Sequence, residues 1–377
     1  MKKKAIFSLA IIAWGIKYLD IFLNRILPNY FSENNLPLAL KKFSIETWIY
    51  TFKEDQKHIE ENENFKKLQL LSPTTIYVST FSSGFKNSNK YDLKGHFQSL
   101  ALRRALNENK TLLLFNPDTM IADGGINRCC ELVSSGHKVV LVGELARASI
   151  EDALPVIFDK FYSESTKVLK ISNRELMGVA LKHLHPVAKH SFWKKGLFCT
   201  WPSFIYWKAG EKSLLAKYFH LHPIALDLSD INKKLPDTLM PDDGGLIEFL
   251  GIKNKDVYVV ENSDEIACVE LTSKNLNFAD PIYSNTKNNT WFVFKWAMKA
   301  ALKGHKRNFL KYNLYFNADE EVNWSLARKK AFRQTFTLRM LFLTMEVFLV
   351  IKQILKALGV GKLKRKLQRR SQKDVKI

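Results

Sequence analysis

A short apolar run, Thr111-Leu112-Leu113-Leu114-Phe115, stopped by Asn116-Pro117-Asp118, constrains this chain more than any other stretch. Such a run bounded by a turn signal reads as a buried strand. Pro117 has no N–H for a sheet ladder, so the strand ends there. Asp118 is then delivered at the carboxyl end of a buried strand, and Asp123, Gly124 and Gly125 follow as the chain leaves. In open α/β sheets, ligands bind in the crevice beyond the carboxyl ends of the strands. The plainer reading of the same residues is an Asx turn that closes the strand.

Further apolar runs cover Ala5 to Gly15, Phe43 to Tyr50, Thr75 to Ser79 and Val139 to Gly143. Helical spacing separates them: Tyr18 to Tyr30 closed by Pro28, a charged amphipathic stretch from Glu54 to Leu71, Phe97 to Leu106, and Asn127 to Ser135 with Gly136 as its cap. Strands that are near-continuously apolar and alternate with helices predict an α/β fold, a mostly parallel sheet with helices on both faces, spanning about residues 5 to 143. Ile150 to Phe192 reads as mostly helical. Ser203 to Lys208 and Leu214 to Asp227 then predict an antiparallel pair around Gly210, with Asp256 to Val260 as a later strand that Ile266 to Leu271 continues. After Asn285 the character becomes helical, over Trp291 to Lys303, Val322 to Lys330 and Phe336 to Leu358. Three regions follow: an α/β body over 1–285, a helical extension over 286–335, and an amphipathic helix with a basic tail over 336–377.

The formal net charge of the 377 residues is +21, which favours a polyanionic partner: nucleic acid, anionic lipid or a phosphorylated substrate. Much of the excess sits at the ends. The tail carries Lys362, Lys364, Arg365, Lys366, Arg369, Arg370 and Lys373 behind a mostly apolar helix, the pattern of an interfacial helix drawn to an anionic membrane surface. A packing helix with a solvated tail is the bland alternative. No zinc-finger spacing or aromatic RNP segment accompanies the charge, which argues against nucleic acid. Lys2-Lys3-Lys4 before Ala5 to Ile12 has the outline of a signal peptide, but no small-x-small cleavage site follows, and a first buried strand fits the run as well. Cys129, Cys130, Cys199 and Cys268 form no CxxC pair and suggest a reducing compartment. The chain is expected in the cytoplasm, peripheral at the inner membrane.

Neither GxGxxG nor GxxxxGK[ST] occurs, and there is no GxSxG elbow. What remains is carboxylates at strand ends, and histidines. Asp118 is a hard oxygen ligand suited to Mg²⁺ or Mn²⁺, and such an ion would neutralise a diphosphate leaving group. His220 and His222, two apart on an expected strand, share a face and are candidates to complete the ion's shell. Asp264 and Glu265 lie just past an apolar strand and are candidates for an acid/base or acceptor-binding role. Asp242-Asp243 before two glycines reads equally as a solvated turn. His183 and His185, on a helical segment, read as structural.

The order of these elements, ending the fourth strand in Asn116-Pro117-Asp118, resembles the nucleotide-binding half of GT-A glycosyltransferases, where a DxD-like motif holds a divalent metal against the donor diphosphate. The wider pattern is similar to a group of bacterial glycosyltransferases. It rests on Trp14-Gly15 with Tyr18, Asn34-Asn35-Leu36-Pro37, Tyr50-Thr51, Pro117-Asp118 with Asp123-Gly124, the segments His183-Leu184-His185-Pro186 and His220-Leu221-His222-Pro223, and Ser263-Asp264-Glu265, across residues 5 to 330. The resemblance implies a nucleotide-sugar donor, with Trp14, Gly15, Tyr18 and Thr51 near the base. It puts Asp118 at the diphosphate, with Asn116 in the first position of the motif and Mn²⁺ or Mg²⁺ on Asp118; Asp123 joins Asp264 and Glu265 as a candidate catalytic residue. A glycan or lipid-linked acceptor at the membrane surface would complete the reaction. Asn116 departs from the motif, since an amide oxygen stands where a carboxylate is expected. A GT-A-like membrane-surface binding protein without catalysis is the alternative that this departure supports.

Overall fold

The computed structural model describes residues 6–79, 90–143, 145–194, 196–231, 233, 235, 245–275 and 283–357. The turn at Asp242-Asp243, the polar loop Ser82 to Asn89 and the basic tail after 357 lie outside the described residues.

The protein is mixed α/β around a seven-stranded, mostly parallel sheet. In chain order its strands are β1 (Ile6–Ile12), β2 (Ser44–Phe52), β3 (Thr74–Ser79), β4 (Thr111–Phe115), β5 (Val139–Val142), β6 (His222–Asp227) and β7 (Val257–Val260). Across the sheet they run β7-β5-β6-β4-β1-β2-β3. All are parallel except β6, which is antiparallel to both β4 and β5. β4 and β5 are buried from end to end, and β1 is buried beyond Ile6, as the unbroken apolar runs require.

The sheet is larger than the expected span of residues 5 to 143, because β6 and β7 come from the second half of the chain. The expected strand Leu214 to Asp227 is in fact two. Ser213–Tyr218 pairs with Phe204–Lys208 and with Leu314–Asn317 in a small antiparallel sheet, and β6 crosses to the central one. The residues between them carry the chain from sheet to sheet, so His220 lies in a connection rather than on a strand. Ile266 to Leu271 does not continue β7. Cys268–Thr272 instead forms a third sheet with Thr119–Ile121 and Leu145–Ser149.

Pro28 does not close the first helix, which runs as Ile16–Ile21, a π turn over Phe22–Ile26, and Leu27–Tyr30. A proline nitrogen cannot donate to the preceding turn, and the wider π turn lies directly before it. Glu54 to Leu71 breaks at Asn62, whose Oδ1 accepts from the Asn64 and Phe65 amides and caps Glu63–Leu71. The two helices expected between Val322 and Leu358 are one, Trp324–Ala357.

The small sheet divides two cores. Strand Ser213–Tyr218 sends Leu214, Ala216 and Tyr218 into the main core and Leu215 into a second one, with Phe219 following. Period-two alternation produces this partition. The second core is completed by Val293, Phe294, Phe309, Ala331, Leu338 and Phe342 from the C-terminal helices.

Candidate functional site

β1 and β4 are neighbours, but the chain leaves β1 toward β2 and leaves β4 toward the opposite side of the sheet. That is a topological switch point, where the connections diverge and leave a crevice beyond the strand ends. A cavity of about 450 Å³ opens there, within the size range of small-molecule sites.

Four sequence candidates meet in it at the ends of β1 and β4: Trp14, Tyr18, Asn116 and Asp118. Trp14 is braced against Phe52 and Phe97. The Asp118 carbonyl accepts from Leu271 N at 2.9 Å and the Asn116 carbonyl from Thr119 N at 3.1 Å. The first bond holds the turn after β4 against strand Cys268–Thr272, and the second closes the turn itself. His220 and His222 also line the cavity.

Gly15 and Thr51 act behind the wall. Gly15 has φ 75°, a backbone that glycine adopts without strain. Its N–H donates to Asp55 Oδ2 at 2.8 Å, and Thr51 Oγ1 donates to the same oxygen at 3.5 Å. Buried Asp55 thereby fixes the turn at Trp14-Gly15 and the start of helix Ile16–Ile21, which carries Tyr18.

The sequence reading missed most of the charge in the cavity. Lys17, Lys94 and Arg147 supply three cations, and Glu270 joins Asp118 as a second carboxylate. Arg147 stands on a register shift: Leu145 pairs with Val269 and Ala148 with Leu271, so two residues face Glu270. Bulges of this kind re-aim side chains next to functional sites. Arg147 takes φ 72°, costly for a non-glycine residue. Its carbonyl accepts from His185 N at 2.8 Å, and its Nε lies 3.2 Å from Glu270 Oε1. Burial raises the Glu270 carboxyl, but the Arg147 and Lys94 charges and the Thr272 hydroxyl outweigh it and hold the group below the usual carboxylate range. An acid inside the apolar run Cys268 to Thr272 was the one signal for Glu270 in the sequence; nothing there marked the Arg147 bulge.

Three candidates stand elsewhere. Asp123 accepts from the backbone and side-chain nitrogens of Asn34, at 3.2 and 2.7 Å, and bridges two segments of the body. Asp264 is held by Arg174 through Nε and Nη2, at 3.0 and 3.2 Å. Glu265 is held by Arg128 at 2.8 Å and by the Tyr258 hydroxyl at 3.0 Å. None of the three lines the cavity. His185 is a helix cap, its Nδ1 accepting from Val187 N at 3.2 Å.

The donors do not fit a divalent ion held on Asp118, His220 and His222. The His220 ring lies against His305 at 4.1 Å. His222 Nε2 is engaged with the Leu114 carbonyl at 3.3 Å, and Glu270 is paired with Arg147. Among the described residues no three His, Cys, Asp or Glu gather as metal ligands. The four cysteines are buried and form no disulfide. Burial raises the thiols of Cys129, Cys130 and Cys199, so these three are inert at neutral pH.

Compared with protein families and with curated proteins, the sequence matches none. Among solved structures it is similar to the crystal structure of 4-diphosphocytidyl-2C-methyl-D-erythritol synthase from Anaerococcus prevotii, at 12% identity and a TM-score of 0.30 over 78% of this chain and 96% of that one. A likeness this distant carries no argument about function.

Proposed function

We propose that the protein is a glycosyltransferase that moves a sugar from a nucleoside-diphosphate donor to a hydroxyl of a glycan or lipid-linked acceptor. One observation carries this reading: the switch-point cavity combines aromatic walls, Trp14 and Tyr18, with three cations, Lys17, Lys94 and Arg147, beside Asp118. Aromatic faces suit a base or sugar ring. Cations suit a diphosphate, whose charge grows as the sugar bond breaks. The 3-2-1-4 order of the first four strands is that of doubly wound nucleotide-binding sheets.

In this reading the acceptor oxygen bonds to the anomeric carbon, and the bond from that carbon to the diphosphate oxygen breaks. The electron pair leaves on the nucleoside diphosphate, which the three cations stabilise. Asp118 takes the acceptor proton, and Glu270, kept ionised by Arg147 and Lys94, orients hydroxyls of the sugar. Side-chain cations meet the leaving-group charge, in place of the expected ion.

Release of nucleotide from UDP-, GDP- and CDP-sugars, with Mn²⁺ and with a chelator, tests the reading. Asp118→Asn is expected to lower turnover by roughly 10²-fold or more, the usual worth of a general base. Glu265→Gln, outside the cavity, is expected to keep it within about threefold, since residues off the reacting centre contribute no transition-state contact. Turnover that survives Asp118→Asn would overturn the assignment, and a chelator that abolishes turnover would overturn the cationic neutralisation.

A further inference from the structure

Helix Trp324–Ala357 has two apolar faces, and the protein covers only one. Ala327, Ala331, Thr335, Leu338 and Phe342 are buried against the second core. On the opposite side Phe336, Met340, Leu343, Val347, Ile351 and Ile354 recur at three- and four-residue steps, so they share one stripe. Each is about half exposed, from 47% for Met340 to 59% for Val347. This is a continuous row about 27 Å long at 1.5 Å per residue, where isolated exposed apolar residues would need no explanation.

Charge identifies the occupant. The row is preceded on its own face by exposed Lys329 and Arg333. From residue 324 to the end, the sequence has fifteen Lys or Arg against Glu346 and Asp374, which is thirteen of the net +21. A second copy docked on this stripe would bring two such segments together, with like charges opposed. An anionic lipid surface offers the complement to both features, apolar chains for the stripe and negative headgroups for the flanking cations. No helix among the described residues is long and apolar enough to cross a membrane. The stripe therefore lies along the surface. We infer that this face, Phe336 to Ile354 with Lys329 and Arg333, docks the protein flat on an anionic bilayer. The inference does not rest on the glycosyltransferase reading.

Co-sedimentation of the full chain with lipid vesicles tests it. The vesicles are pure phosphatidylcholine or contain about one-third phosphatidylglycerol, an anionic fraction that sets the surface potential. Binding is expected to be at least about tenfold stronger to the anionic vesicles and to fall as salt rises from about 0.1 to about 0.5 M, which shortens the screening length. A Phe336→Ser, Met340→Ser, Leu343→Ser variant replaces only exposed side chains and is expected to melt like the parent and lose the vesicles. Lys329→Glu with Arg333→Glu is expected to weaken binding selectively on anionic vesicles. Failure to bind anionic vesicles would overturn the proposal. So would a lipid-free dimer, seen by light scattering, that the triple variant dissociates, since the occupant would then be a second copy.

Discussion

Lys217 is a buried charge that the proposed chemistry does not use. Its Nζ donates to the Phe309 and Tyr312 carbonyls, at 3.2 and 3.0 Å, inside the second core. Burial, reinforced by the Arg339 charge, pushes its ammonium from 10.5 down to about 7. Between those two values the unfolded chain holds a proton that the folded chain has released, so stability rises with pH across that window. Below about 7 the cost of the buried charge is felt in full. Lys217→Met is expected to raise stability at pH 6.5 by an amount of order 2 kcal/mol, and to flatten the rise between pH 7 and 9 in denaturant titrations. Parallel curves for the two proteins would contradict this. His305 works in the acid range. Burial, and then the neighbouring His220, pushes its imidazole down to about 3. The unfolded chain binds its proton near 6.5 and the folded chain resists, so stability falls as pH drops from 6.5 toward 3. His305→Gln is expected to lessen that fall. The sequence made the single residues at strand ends readable, because Pro117 stops a strand and leaves Asp118 beyond it. It hid Asp264 and Glu265 in the opposite sense: their Arg174 and Arg128 partners lie 90 and 137 residues away. An acid past an apolar strand looks the same whether it meets a ligand or an arginine.

Among the elements, the turn at Trp14-Gly15, which starts helix Ile16–Ile21, bears most directly on the site. Its shape depends on Gly15 at φ 75° and on the bond from Gly15 N to Asp55. Gly15→Ala meets no neighbouring atom within 4 Å. Its expected cost is therefore the backbone term, about 1–3 kcal/mol for a conformation that is essentially confined to glycine. Because the same turn carries Trp14 and starts the helix that bears Lys17, donor affinity is expected to fall with it, a loss that thermal unfolding and ligand titration separate. The five strands expected before residue 144 are all present, because buried parallel strands write themselves as unbroken apolar runs. The second half was less legible. One apolar stretch, 213 to 227, serves two sheets, and only the path through Phe219, His220 and Leu221 divides it. The Arg147 register shift is a property of pairing between distant strands, which no local pattern encodes.

At the scale of the whole molecule, charge and apolar surface are sorted by place. The switch-point cavity holds three cations against two carboxylates, and the C-terminal segment holds most of the remaining excess. These two positive regions make separable predictions. Substituting Phe336, Met340 and Leu343 is expected to remove membrane attachment without touching donor binding. Substituting Lys17, which is exposed and lines the cavity, is expected to do the reverse. The central claim, that the cavity at the ends of β1 and β4 receives a nucleoside-diphosphate sugar, is tested most directly by calorimetric titration of UDP-, GDP- and CDP-sugars into the chain and its Lys17→Ala variant, in the presence of a chelator. The account predicts saturable binding of at least one donor, weakened by about tenfold in the variant, close to the 1.4 kcal/mol of one lost charge-assisted contact. No binding of any donor, or equal binding by the two proteins, would contradict it.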